Sequence, residues 1–284
     1  MLVFGDSLSD VGNAHRQWGD EAFPCPPHWH GRRCDGPLWV ERLAVRLGLP
    51  EPRPSLAGGD AHACGGARSG AGLSPRRGAP NLLEQVALWR AGRGEAPVAT
   101  HALAVLRAGA NDYLDAPIPG VAQRVNANLL TAVGRLADAG LRRFLVPSEL
   151  PWGCSPIDLP GVGPAERAAL NAAIAAQNDA LREALRGLVE RRGLQVAQPD
   201  FHGLLLKVRA EPAAHGFHEI ARPALLEPLR SQTAPDAAGV LWWDGWGHLT
   251  SAFHELLAAE AGRVLGQMAY GGVSRCLPDQ ITMP

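Results

Sequence analysis

Two patterns of apolar positions alternate along the chain. Residues 2–4, 102–106, 144–146 and 194–197 are short, nearly continuous apolar runs, which is how strands buried on both faces read. Between them, residues 80–89, 121–139 and 165–192 repeat apolar side chains at helical spacing, with a few Gly or Pro residues at the joins. Strand and helix in alternation predict an α/β domain, a parallel sheet layered between helices. The longest helix is the best marked. Gly163-Pro164 opens it, Leu170, Ile174, Leu181, Leu185 and Leu188 form its apolar stripe, and Gly193 closes it. No linker divides the chain and no repeat recurs in it. The pattern therefore predicts one domain over residues 1–266, with residues 267–284, where periodicity is lost, as a C-terminal tail.

Composition removes several classes of function. With 27 basic and 28 acidic residues in 284 there is no electrostatic footprint for nucleic acid. Lys207 is the sole lysine, so Schiff-base chemistry has one candidate and a phosphate-binding lysine loop has none in place. No apolar run reaches the length of a membrane-spanning helix. Met1 leads directly into the first apolar run, without a leader pattern. A cytoplasmic location is expected for the chain as written, and a secreted one if the true start lies upstream. The five cysteines, Cys25, Cys34, Cys64, Cys154 and Cys276, are odd in number and form no CxxC.

Chemistry concentrates at the two ends. The first strand runs into Gly5-Asp6-Ser7-Leu8-Ser9-Asp10-Val11-Gly12-Asn13, which puts a serine just beyond a strand's carboxyl end, where open α/β sheets place their ligands. A helix N-cap serine would read the same way. Near the other end, Trp242-Trp243-Asp244-Gly245-Trp246-Gly247-His248-Leu249-Thr250 sets a histidine and a carboxylate before a closing helix. A serine needs such a base to become a nucleophile at neutral pH.

The Gly5-to-Asn13 block resembles the nucleophile block of the GDSL esterases and lipases, also called SGNH hydrolases, in their plant-type and bacterial lipase branch. Gly36-Pro37-Leu38-Trp39-Val40, Cys64-Gly65-Gly66-Ala67, Gly109-Ala110-Asn111-Asp112-Tyr113, Pro212-Ala213-Ala214-His215-Gly216-Phe217 and the Asp244/His248 block follow in family order. The resemblance implies a three-layer α/β/α sandwich with a flavodoxin-like parallel sheet of about five strands. It implies Ser7 as nucleophile, His248 as base and Asp244 as acid. The oxyanion hole it implies comes from the backbone N–H groups of Ser7 and Gly66 and the side-chain amide of Asn111. No metal or organic cofactor is implied, and the expected partner is a small-molecule or lipid ester. Acyl transfer to an alcohol, carbohydrate O-acetyl ester hydrolysis and a non-catalytic binding module are the alternatives.

Two positions depart from the family pattern. Asp244 precedes His248 by four residues where three are usual, so either Asp244 or a backbone carbonyl orients the imidazole. Ala61 stands near the place where the Gly66 block normally begins with asparagine. Elsewhere, Cys25, His28, His30 and Cys34 crowd one loop without a usual zinc spacing, and a Cys25–Cys34 disulfide is the alternative in an exported protein. Trp242, Trp243 and Trp246 serve either as pocket lining or as core. Asp6, Asp10, Asn13 and Asp112 are expected to brace their turns through backbone hydrogen bonds.

Overall fold

Each of the four apolar runs is a strand in the computed structural model, which describes residues 1–20, 24–75, 77–94, 96–99, 101–114, 120–158, 162–226 and 233–271. β1 (Leu2–Gly5), β2 (Leu103–Arg107), β3 (Arg143–Leu145) and β4 (Gln195–Ala197) pair in that order, all parallel. On the open side of β1 the backbone of residues 60–64 runs alongside. Val3 N donates to Asp60 O, His62 N to Val3 O and Cys64 N to Gly5 O, and Ala61 forms a parallel bridge with Val3. The sheet is thus four strands and a vestigial fifth edge, where about five strands are expected. Gly58-Gly59 before the edge and Gly65-Gly66 after it are turn formers that bound this segment at residues 60–64. The spatial order, edge then β1, β2, β3 and β4, is the flavodoxin-like one.

Eight α-helices accompany the strands among the described residues: α1 (Asn13–Trp18), α2 (Trp39–Arg46), α3 (Leu82–Arg93), α4 (Ala110–Leu114), α5 (Val121–Asp138), α6 (Pro164–Arg192), α7 (Phe201–Ala210) and α8 (Ser251–Gly271). Side chains alternate across a strand, so the sheet feeds two cores. Val3, Leu103, Val105, Leu145 and Ala197 meet α2, α7 and α8 on one face. Leu2, Phe4, Ala104, Leu106 and Phe144 meet α3, α5 and the second half of α6 on the other. The α6 stripe divides between them, with Leu170 and Ile174 in the first core and Leu181, Leu185 and Leu188 in the second. Truncating a fully buried ring such as Phe144 or Phe201 to alanine would cost about 3–5 kcal/mol.

Two features differ from the sequence expectation. A separate parallel ribbon, β5 (Glu219–Leu225) with β6 (Val240–Asp244), lies outside the main sheet. It is irregular in register and its first strand alternates poorly, so periodicity does not reveal it. Second, the tail does not begin at residue 267. α8 continues to Gly271, and Met268 extends the line of Phe253, Leu257, Ala261 and Leu265 against the first core. Residues 272–284, the rest of the expected tail and the site of Cys276, lie outside the described residues. No helix among the described residues is long and apolar enough to cross a membrane.

Candidate active site

The chain leaves β1 toward the edge on one side of the sheet and returns to β2 through α3 on the other, so the crevice beyond the carboxyl ends of β1 and β2 is a topological switch point. Ser7 follows β1 and Asn111 follows β2, while Gly66 follows the edge segment. All three blocks reach the same end of the sheet.

Buried polar side chains hold these turns together. Asp10 accepts from the N–H groups of Gly12 (2.8 Å), Asn13 (2.6 Å) and Ala14 (3.0 Å), and from Gly65 N (2.8 Å) across the crevice. Asn13 Nδ2 donates to Ala61 O at 2.7 Å and Ala63 O at 2.9 Å. Ala61 therefore supports the Gly66 loop through its backbone, which any residue type supplies. Asp112 accepts from Ser69 N and Ser69 Oγ at 2.9 and 2.8 Å, and Asn111 Nδ2 donates to Ala67 O at 2.9 Å. That bond uses one amide hydrogen of Asn111 and leaves its second for another acceptor. Gly66 has φ 85, a conformation that costs a residue with a Cβ. Among the described residues neither Ser7 N nor Gly66 N donates to a protein acceptor.

The histidine arrives on the ribbon. Beyond β6 the chain doubles back: Trp243 N donates to His248 O at 2.7 Å and Thr250 N to Leu241 O at 3.1 Å. Asp244 and His248 consequently face each other across the mouth of a turn, which is why a four-residue separation suits them. Gly247, with φ 83, closes it. Asp244 is fully buried and accepts from Trp246 N (3.0 Å) and His248 N (3.2 Å), and both of its oxygens lie 2.8 Å from His248 Nδ1. With Nδ1 protonated against Asp244, Nε2 carries a lone pair, and Ser7 Oγ lies 2.9 Å from it. Ser7, Asp244 and His248 are thus one connected chain. Burial alone would raise the Asp244 carboxyl, but the His248 imidazole, then Arg33 with its guanidinium 3.7 Å away, outweigh it and hold the group at about 2. Its negative charge is constant above pH 4.

From that geometry Asp244→Asn should lower kcat by about 10,000-fold at little change in KM, because an amide facing Nδ1 favours the wrong imidazole tautomer. A loss under about 100-fold would assign imidazole orientation to a backbone carbonyl instead.

Of the flanking tryptophans, Trp242 and Trp243 are core: their indole N–H groups donate to Ile220 O (3.0 Å) and His28 Nδ1 (2.9 Å). Trp246 is 52% exposed on the turn beside the histidine. His28 is buried, and burial with the nearby Arg33 pushes its imidazole down to about 4. The unfolded chain therefore takes up this proton first, near pH 6.5. The stability that neutral His28 contributes is full above that pH and is lost as pH falls toward 4, by up to about 1.4 kcal/mol per pH unit. His28→Asn keeps an acceptor for Trp243 without the titration. Urea unfolding at pH 7 and pH 5 should show the variant gaining on the wild type by about 2 kcal/mol between the two. An unchanged difference would mean that His28 is not buried in its neutral form.

The Cys25/His28/His30/Cys34 crowding does not assemble a ligand set. Cys25 and Cys34 are free thiols, Cys25 Sγ accepts from Gly31 N, and His28 is taken by Trp243. His15, Asp20 and Cys25 do bring one ligand atom each within 4.8 Å of one another, with His15 Nε2 and Asp20 Oδ1 hydrogen-bonded at 2.7 Å.

Comparison with known proteins agrees with the motif order. The family model described as GDSL-like Lipase/Acylhydrolase matches residues 1–261. A GDSL esterase/lipase of Arabidopsis thaliana is 26% identical over 322 residues, an alignment covering 94% of this chain and 90% of the relative. A second Arabidopsis thaliana GDSL esterase/lipase is 27% identical over 186 residues, 55% of this chain and 51% of the relative. A phosphatidylcholine-sterol acyltransferase of Aeromonas hydrophila is 40% identical over 43 residues, 15% of this chain and 13% of the relative. Among solved structures, a putative acylhydrolase from Bacteroides fragilis aligns with a TM-score of 0.40 at 13% identity, covering 96% of this chain and 86% of that one.

Proposed function

Because the chain belongs to the GDSL-like lipase/acylhydrolase family and is a hydrolase of ester bonds, we propose that it cleaves carboxylic esters through an acyl-enzyme on Ser7, with His248 as base and Asp244 as its partner. The observation that carries this reading is the unbroken Ser7–His248–Asp244 hydrogen-bond chain, with separations of 2.9 and 2.8 Å.

Ser7 Oγ attacks the ester carbonyl as its proton passes to His248 Nε2, and the carbonyl π pair moves onto oxygen. Asp244 balances the imidazolium that forms. The oxyanion sits among Ser7 N–H, Gly66 N–H and the Asn111 amide, all neutral donors that titration cannot remove; each is worth about 100- to 1,000-fold in turnover. Collapse breaks the bond to the alkoxide, which takes the proton from His248 and departs as the alcohol. Water then gives its proton to His248 and attacks the acyl carbon, and the returning proton frees Ser7 with release of the carboxylic acid.

The similarity to an acyltransferase favours a second outcome of the same acyl-enzyme, in which an alcohol takes the place of water. Hydrolysis of p-nitrophenyl acetate, butyrate, octanoate and palmitate, with and without an added alcohol, tests both. Free acid as the main product supports the hydrolase; ester formation outpacing acid release supports transfer. Turnover of no ester, with no labelling of Ser7 by a fluorophosphonate, would overturn the reading in favour of a binding module.

A further inference from the structure

A buried arginine stands behind the three blocks that make the site. Arg107 ends β2 and is 2% exposed. Its Nη1 donates to both oxygens of Asp6 at 2.7 Å, and its Nη2 donates to Glu149 Oε1 at 2.6 Å. Asp6 immediately precedes Ser7 and accepts from Leu8 N at 3.1 Å, so its carboxylate grips the nucleophile's turn on both sides. Glu149 Oε1 also accepts from Trp152 Nε1 (2.9 Å) and Leu150 N (3.0 Å). The Trp152 ring abuts Gly247, the residue before His248, closely enough that a Cβ there would meet it at 3.4 Å. The other Glu149 oxygen lies against Gly109, two residues before Asn111, where a Cβ would meet it at 2.6 Å. One guanidinium is therefore one contact from the nucleophile turn, two from the turn that carries the amide donor and three from the base loop.

Stability does not explain the choice of residues. Two buried carboxylates on one buried guanidinium carry a desolvation cost that a well-packed apolar cluster would avoid. Among the described residues Arg107 Nε also has no hydrogen-bond partner, a further cost. What a guanidinium supplies and an apolar side chain does not is a rigid fork with fixed donor directions.

We propose that Arg107 is a positioning residue: by clamping Asp6 and Glu149 it sets the register of Ser7, Asn111 and His248 relative to one another. The proposal rests on Ser7 and His248 acting as described above. Arg107 touches no reacting atom, and its effect is on kcat through geometry, since a shift of about 1 Å in a catalytic group costs on the order of 100-fold.

The test uses Arg107→Met, Arg107→Lys and Glu149→Ala, with kcat, KM, the rate of fluorophosphonate labelling of Ser7 and the circular dichroism spectrum of each. For folded Arg107→Met, kcat should fall about 100-fold with KM within about threefold of the wild type, and labelling should slow in proportion. Arg107→Lys, which satisfies one carboxylate at a time, should recover part of the loss. Glu149→Ala leaves the Asp6–Arg107 pair charge-balanced and cuts the link to Trp152, so it serves if Arg107→Met does not fold. Its kcat should drop about tenfold at constant KM. A folded Arg107→Met or Glu149→Ala with wild-type kcat and labelling rate overturns the proposal, as does a loss carried equally by KM. Ser7→Ala in parallel separates the two claims. If that variant still hydrolyses esters, the serine mechanism fails; if it is dead while both network variants run at the wild-type rate, only the positioning role fails.

Discussion

Ser7→Ala is expected to reduce kcat for p-nitrophenyl butyrate by about a million-fold, to the residue of catalysis that the oxyanion donors and binding supply without a nucleophile. The fold should not notice. Ser7 is half-buried, and among the described residues its hydroxyl has one hydrogen bond, to His248, so the stability from urea unfolding should stay within about 0.5 kcal/mol of the wild type. The nearby hydroxyl does not substitute for it: Ser9 is buried and its Oγ accepts from Trp39 Nε1 at 3.2 Å, on the core side of the turn. Mass spectrometry of the fluorophosphonate-treated chain should find the adduct on Ser7 and none on the variant. Hydrolysis by pure Ser7→Ala above about 1% of wild type would overturn the acyl-enzyme.

His248→Ala should lose as much, about a million-fold in kcat, because an un-ionised serine hydroxyl is a poor nucleophile at neutral pH. Neither of the two imidazoles that feel the His248 charge stands ready: His28 Nδ1 is occupied by the Trp243 indole, and His254 Nδ1 by Trp39 N at 3.1 Å. Burial holds the His254 imidazole down at about 3. The combined Ser7→Ala, His248→Ala chain should be no slower than either single variant, since the two act as one unit. Additive losses in the double variant would mean that they contribute to separate steps, and the hydrogen bond between them would not be the working one.

The elements of the main sheet were legible from periodicity because each is a local matter: a strand buried on both faces must be apolar along its length, and a helix between sheet and solvent must be apolar along one stripe. The chain could not announce the β5–β6 ribbon in that way. Glu219 to Leu225 is mostly half-buried without alternation and is Pro-interrupted, and its pairing with β6 is irregular. Residue 267 looked like an end because Gly266 breaks the apolar line, yet Met268 resumes it.

By itself, the sequence determined the alternation of strand and helix, the family, and the residue types that could carry ester chemistry, since short blocks such as Gly5-Asp6-Ser7 and Gly109-Ala110-Asn111-Asp112 hold their chemistry within a single turn. Tertiary structure alone decided what joins those blocks. Whether Asp244 reaches the imidazole depends on the hairpin made by Trp243 and His248, and a spacing of four says nothing about that closure. Arg107 reads in the sequence as the charged end of an apolar strand. Its partners lie 101 and 42 residues away, and no periodicity links positions that meet only when parallel strands end side by side. Local pattern is written by the environment of each residue's own element, whereas a site is written by which elements finish together.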